Sequence, residues 1–233
     1  MSLRDVSKTF THSGESVRAL VGVNLNLAPV ADRDRGPAHV MAARAFGQRP
    51  ATVRARVGAY LDGLLPTRVG AAMKHFPGIG AAPANTDDGR VVIRLSRDEL
   101  RIDETPFLAA RGRTKVAVMM SNAIYPAYQG GVPASISQPM YQHLRYRLGG
   151  ATVVITDALD AIAWAVDGVT AKACPRAIIA GADIALVTDG SRVALDCIER
   201  IVDAARDGRI TASRLDAAVT RVVHYKRALG LIG

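Results

Sequence analysis

Short apolar runs recur along this chain, each followed by a polar residue and then by a stretch with helical spacing. Val21 to Val30, Gly70 to Phe76, Lys115 to Ser121, Ala151 to Thr156 and Asp183 to Val187 read as strands. Three of them are apolar almost throughout, which suits strands covered on both faces rather than a half-solvated sheet. Between and after them, Pro50 to Leu65 repeats apolar residues at Val53, Val57, Tyr60, Leu61 and Leu64, and Pro139 to Leu148 has helical spacing. Val193 to Asp207 and Ala212 to Leu229 read as amphipathic helices, the second capped by Thr211. This alternation predicts an α/β fold with a parallel sheet, in which functional groups gather at the carboxyl ends of the strands. Those ends carry Asp32, Lys74 with His75, Ser121 with Asn122, Asp157, and Thr188 with Asp189.

The chain has 233 residues and a net charge of +9, with 49% hydrophobic and 5% aromatic residues. That length holds one substantial domain, and residues 1–233 are read as a single unit. Of 30 basic residues only five are lysine (Lys8, Lys74, Lys115, Lys172, Lys226), and the arginines are dispersed. A nucleic-acid binder concentrates its charge and interleaves aromatics, so nucleic acid is not expected as a partner. No apolar run reaches the ~20 residues a membrane span requires. Met1 to Ser16 is polar and shows no signal peptide, so the cytoplasm is the default compartment, with export expected only if a further segment precedes it. Cys174 and Cys197 lie in no metal-binding pattern and are read as two small buried hydrophobes rather than a disulfide.

Two local patterns carry chemistry. Lys74-His75-Phe76-Pro77-Gly78 ends a buried strand with two polar side chains, and adjacent strand residues point to opposite faces unless the strand bends. Taken alone, the pair fits a satisfied buried histidine beside a snorkelling lysine equally well. Thr156-Asp157-Ala158-Leu159 places a carboxylate directly after the most β-branched strand, either as a helix cap or as a catalytic group. Gly78-Ile79-Gly80 is not a dinucleotide loop, because Pro83 stands at the third glycine position. The five histidines show no ligand spacing, and no metal or organic cofactor is expected. His143 and His224 are read as surface or cap residues, Trp164 as a stacking platform for a ligand ring or a core or lid contact, and the loop from Gly78 to Leu95 as lying over the site.

Read together, these segments resemble the signature strands of family-3 glycoside hydrolases, in the branch of the NagZ-like bacterial β-N-acetylglucosaminidases. Further matches are Asn24 to Val30 with Asp32, Arg44-Ala45-Phe46-Gly47, Ser121 to Pro126, Gly181 to Val187 and the tail from Gly208 to Leu231. The resemblance implies a TIM-type (β/α)₈ barrel that hydrolyses β-linked N-acetylglucosamine with retention. It places Asp157 at the nucleophile position, Lys74, His75 and Arg44 where sugar hydroxyls are bound, and Asp32 in a supporting place among the substrate-binding residues.

The chain departs from that family twice. The typical loop after the lysine-histidine strand carries D-S-H, whose histidine is the acid/base; here Asn85-Thr86-Asp87 stands there, and Ile79 replaces an earlier histidine. Asp87, or its neighbour Asp88, is left as the candidate proton donor. The family's strand ending in D-x-E-G-G-x-V-x-R has no counterpart, and the opening residues read as the helix before the third strand. The expected fold is therefore a barrel without its first two βα units, with an exposed edge through which the chain could self-associate. The expected activity is removal of N-acetylglucosamine from cell-wall or chitin-derived saccharides. The alternatives are a non-catalytic, truncated remnant that binds saccharide weakly and a β-glucosidase.

Overall fold

The computed structural model describes residues 8–12, 15–20, 23–128 and 131–233. Strands β1 (Lys8–His12) and β2 (Glu15–Leu20) form an antiparallel pair, where a helix was expected. The β-branched residues Thr9, Thr11 and Val17 favour that extended backbone. A second sheet is parallel throughout, in the order β3 (Leu25–Asn26), β4 (Gly70–Phe76), β5 (Val116–Met120), β6 (Val154–Thr156). The strand expected at Val21 to Val30 is shorter than its apolar pattern. Val21 and Gly22 lie outside the described residues, and beyond Asn26 the chain keeps to β4 through Ala72 N–H donating to Ala28 O, Lys74 N–H donating to Pro29 O and a bridge between Val30 and Lys74. Asp183 to Val187 likewise joins β6 by a single bridge, Ile155 to Ile184, because side chains intervene in the ladder: Val154 N–H donates to Asp183 and Leu186 N–H to Thr156 Oγ1.

Helices α1 (Pro50–Leu64), α2 (Arg97–Asp103), α3 (Gln138–Leu148), α4 (Ala173–Ala180), α5 (Ser191–Arg206) and α6 (Ala212–Ala228) follow the strands in chain order. In α1, Val53, Val57 and Leu61 repeat every four residues and are fully buried, each worth about 1.5–3 kcal/mol of apolar burial. Ser96 and Glu99 form a reciprocal capping box that starts α2, and Thr211 accepts from Arg214 N–H to start α6. Alternate strand residues serve two cores. Ala71, Met73, Val116, Val118, Met120 and Val154 face the helices. Ala72, Ala117, Met119 and Ile155 face the concave side, with Leu25, Leu27, Ile184 and Leu186 beside them and Tyr225 and Leu229 of α6 covering one end. This two-sided burial is why the strands read as continuous apolar runs. The described residues thus form an open half-barrel.

Three buried carboxylates tie the layers together. Asp103 pairs with Arg33 and Arg35; Asp183 with Arg145 and Arg221; and Glu104 receives Tyr128 Oη, His143 Nε2 and Arg147 Nε, each at 2.7 Å. His143 is therefore an internal hydrogen-bonding residue, contrary to its surface reading, whereas His224 is exposed. The cysteine reading is also corrected. Cys174 in α4 and Cys197 in α5 form a disulfide with their Cα atoms 5.6 Å apart. The two helices pack side by side, so residues 23 apart in sequence become neighbours.

Candidate active site

The carboxyl ends of the parallel strands converge on a cleft with a volume of about 740 Å³. Five sequence-predicted residues reach it: Arg44, Lys74, His75, Asp87 and Asp157. Lys74 and His75 both line the cleft although they are adjacent on β4, because the β4–β5 register breaks between Met73 and Phe76. The strand then turns away at Gly78, whose φ of +130° favours glycine and whose Cα faces Asp103. Gly80 passes so close to the Arg33 carbonyl that a Cβ would not fit. The two glycines therefore serve backbone packing rather than phosphate binding.

Asp32 takes a different place from the other substrate-site candidates. It is fully buried behind His75 and outside the cleft lining. Its carboxylate accepts the His75 and Ile79 backbone N–H groups and lies 2.7 Å from His75 Nδ1. Arg33 and Arg35, on the same segment, close onto Asp103 at the end of α2 at 2.8 and 3.0 Å. The Asp32 loop and the turn at Gly78 are thus anchored at one point.

Asp157 follows β6 directly, with its N–H donating to Met120 O and its Oδ1 accepting the Ala158 N–H. It does not cap the 3₁₀ turn Leu159–Val166, which has no side-chain cap. Asn122 Nδ2 donates to Ala158 O at 2.7 Å, and Ser135 in turn donates to Asn122. Burial pushes the Asp157 carboxyl above the ordinary aspartate range, and the nearby His75 partly opposes the shift. Lys74 moves the other way. Burial first, then the Arg44 guanidinium, lower its pKa, while Asp157, Asp32 and Asp87 hold it up.

Across the cleft, the 3₁₀ turn Thr86–Asp88 presents Asp87. Asn85 grips it twice, accepting Asp87 N–H and donating to Asp87 Oδ2, both at 3.2 Å. Asp88 is exposed and outside the lining. The loop from Gly78 to Leu95 therefore reaches the cleft at Ile79 and over Asn85, Thr86 and Asp87. Trp164, 41% exposed, lies outside the lining and offers no platform there.

The far wall contains groups that the motifs did not single out. Asp160 accepts Thr188 N–H at 2.7 Å and also pairs with Thr188 Oγ1, and Thr170 donates to Asp189. These contacts bind the segment after Ile184 to the turn after β6. Thr188 and Asp189 stood at a predicted strand end; Asp160 and Thr170 had no such signal, since only folding brings them to the wall. Among the described residues no cluster of histidine, cysteine and carboxylates is arranged to hold a metal, and no helix is long and apolar enough to cross a membrane. The cleft offers the half-buried Asp157 carboxylate, Asp87 across from it, Asp160 and Asp189 on the far wall, two cationic donors in Arg44 and Lys74, and the His75 imidazole, a set suited to a neutral polyhydroxyl substrate.

The sequence matches the profile described as "Glycosyl hydrolase family 3 N terminal domain" over residues 2–225. It is 34% identical over 221 residues to beta-hexosaminidase LpqI of Mycobacterium tuberculosis, covering 91% of this chain and 56% of that protein. Against the beta-hexosaminidase of Stenotrophomonas maltophilia strain K279a the identity is also 34%, covering 91% of this chain and 58% of the relative. The fold resembles that of a glycoside hydrolase family 3 beta-N-acetylglucosaminidase from Paenibacillus sp. FPU-7, with a TM-score of 0.84 and 29% identity over 90% of this chain and 41% of that one. The chain thus spans somewhat more than half the length of these curated relatives.

Proposed function

This chain belongs to glycosyl hydrolase family 3, and on that premise we propose that it forms a catalytic domain, residues 1–233, of a retaining glycosidase that removes terminal β-linked N-acetylglucosamine from saccharides. The observation that carries the reading is Asp157, a half-buried carboxylate at a strand end that shares one cleft with Lys74, His75 and a second carboxylate, Asp87.

In this reading Asp157 attacks the anomeric carbon and the aglycone oxygen leaves, giving a glycosyl ester that water then cleaves. Asp87 protonates the leaving oxygen, and in the second step takes the proton from water. Asn85 fixes the direction of the Asp87 carboxyl. Arg44, Lys74 and His75 hold the sugar hydroxyls, and Asp32 holds the His75 ring from behind. Retaining enzymes bring two carboxyl groups to one glycosidic bond, and here Asp157 and Asp87 line the same cleft.

The test is release of 4-nitrophenol from its N-acetyl-β-glucosaminide, with the N-acetyl-free β-glucoside in parallel. Turnover of the first and not the second supports the reading; the reverse preference makes the protein a β-glucosidase. Absence of turnover from folded protein that still binds N-acetylglucosamine identifies a non-catalytic saccharide binder.

Self-association belongs to the same proposal. Leu25 and Leu27 at one edge of the sheet and Ile184 and Leu186 at the other are only half-buried, and a second copy would cover them. Light scattering reads this directly: a dimer supports the contact and a concentration-independent monomer removes it.

A further inference from the structure

A second cleft, about 260 Å³ in volume, opens between α4 and α5. Its rim carries four cations from separate segments: Lys172 from the 3₁₀ turn Thr170–Lys172, Arg176 from α4, Arg200 from α5 and Arg209 from the turn that follows. Pro175 and Ile179 supply an apolar lining, and Asp203 is the single carboxylate. Most of these charges have only exposed partners: Lys172 with Asp167, Arg209 with Asp207, and Asp203 itself with Arg206. Exposed pairs of that kind are weak and screened by water, so a ligand carrying several negative charges can displace them.

Two further observations bear on the ligand. The Cys174–Cys197 disulfide joins the walls: Cys174 precedes Pro175 and Arg176, and Cys197 lies three residues, close to one helical turn, before Arg200. The helix backbones that carry Arg176 and Arg200 are thus covalently joined, which reduces the ordering cost of binding. The cleft also shares the turn Thr170–Lys172 with the active site, Thr170 lining one and Lys172 the other. The two clefts thus meet at one short turn, which is the ground for placing one extended saccharide across both.

We propose that this cleft is an accessory subsite for an anionic saccharide, one bearing carboxylate or phosphate groups, whose neutral end occupies the active-site cleft. The proposal rests on the glycosidase reading, and the two can fail separately. Guanidinium groups pair with carboxylate and phosphate in two-pronged fashion, and the apolar lining meets the hydrophobic face of a sugar ring. A nucleic acid would instead call for aromatic stacking groups, and none lines the cleft.

The experiment is calorimetric titration of the whole chain with tetragalacturonate, lactose 1-phosphate, neutral chitotetraose and a single-stranded tetranucleotide. At least one charged saccharide should bind, more weakly as salt rises, and Arg176→Ala/Arg200→Ala should weaken it by at least about tenfold. That variant should leave hydrolysis of the uncharged 4-nitrophenyl glycoside unchanged. Preference for tetragalacturonate or for the phosphosugar decides between carboxylate and phosphate, and either supports the subsite. Cys174→Ser/Cys197→Ser should weaken the same binding; because Arg176 and Arg200 are exposed, the arginine variant decides the matter even if the cysteine variant does not fold. Equal binding by wild type and the arginine variant, no binding of either charged saccharide, or tighter binding of the tetranucleotide would overturn it. Loss of hydrolysis with charged-saccharide binding retained counts against the glycosidase reading alone.

Discussion

Asp32 Oδ2 lies 2.7 Å from His75 Nδ1, the aspartate fully buried behind a ring that lines the cleft. Asp32 also accepts two backbone N–H groups, so it fixes the ring, the end of β4 and the start of the loop at once. In the neutral ring the proton sits on Nδ1, which leaves Nε2 to accept from a sugar hydroxyl. Asp32→Asn offers only one acceptor oxygen to three donors. We expect kcat/KM for the 4-nitrophenyl glycoside to fall about 10–100-fold, mostly through KM, as for other partners that orient a binding group. A purely structural role would instead lower the melting temperature and leave the KM of the folded fraction unchanged, which thermal unfolding and steady-state kinetics separate.

Asp87 is the proton donor in this account, so its removal should depend on the leaving group. Asp87→Asn should slow cleavage of an alkyl N-acetylglucosaminide by about 10²–10⁴-fold, the usual contribution of a general acid. The 4-nitrophenyl glycoside, whose leaving group needs little protonation, should suffer far less in the step that expels it. Equal loss on both substrates, measured by burst kinetics, would remove Asp87 from that role.

The pH profile follows from two shifts of opposite sense. Asp157 acts as a carboxylate, and burial raises its pKa, so activity should be lost on acidification at a higher pH than an ordinary aspartate at about 3.9 would give. Lys74 acts as a cation, and burial with Arg44 lowers its pKa; with the 4-nitrophenyl glycoside, whose leaving group needs little of the Asp87 proton, the alkaline limb should fall below that of a free lysine at about 10.4. Lys74→Arg should move the alkaline limb upward and leave the acid limb in place. An alkaline limb unmoved in that variant would show that Lys74 does not control it.

Away from the cleft, the disulfide closes a loop with a sequence separation of 23, for which chain-entropy arguments give about 3 kcal/mol. Cys174→Ser/Cys197→Ser should lose stability of that order in denaturant unfolding, and the wild type should lose the same amount on reduction. Titration of free thiols in the native protein gives the companion check, with none expected.

The sequence was most readable where one physical rule governed a whole segment. Two-sided burial made β4, β5 and β6 legible as apolar runs, and the four-residue repeat of Val53, Val57 and Leu61 announced α1. Asp157, Lys74 and His75 stood out as polar groups at the ends of such runs, where capping or a satisfied core contact explained them equally well, and the family resemblance alone suggested their roles. What depends on distant segments was not. No spacing rule brings Cys174 to Cys197, His143 to Glu104, or Asp160 to Thr188; each pair meets only once separate elements pack. Asp32 was visible as a strand-end carboxylate, but its place behind His75 depends on how β4 bends. The segment at Ile184 was expected as a full strand, and Asp183 and Thr156 replace part of its backbone ladder with side-chain hydrogen bonds.

The central claim is that Asp157 forms a covalent bond to the sugar. A fluorinated N-acetylglucosaminyl fluoride, which glycosylates a retaining enzyme faster than the product hydrolyses, followed by peptide mass mapping, tests it most directly. The account predicts one glycosyl adduct, on the peptide carrying Asp157, and none in Asp157→Ala. Turnover without any adduct, or an adduct on another residue, would contradict it.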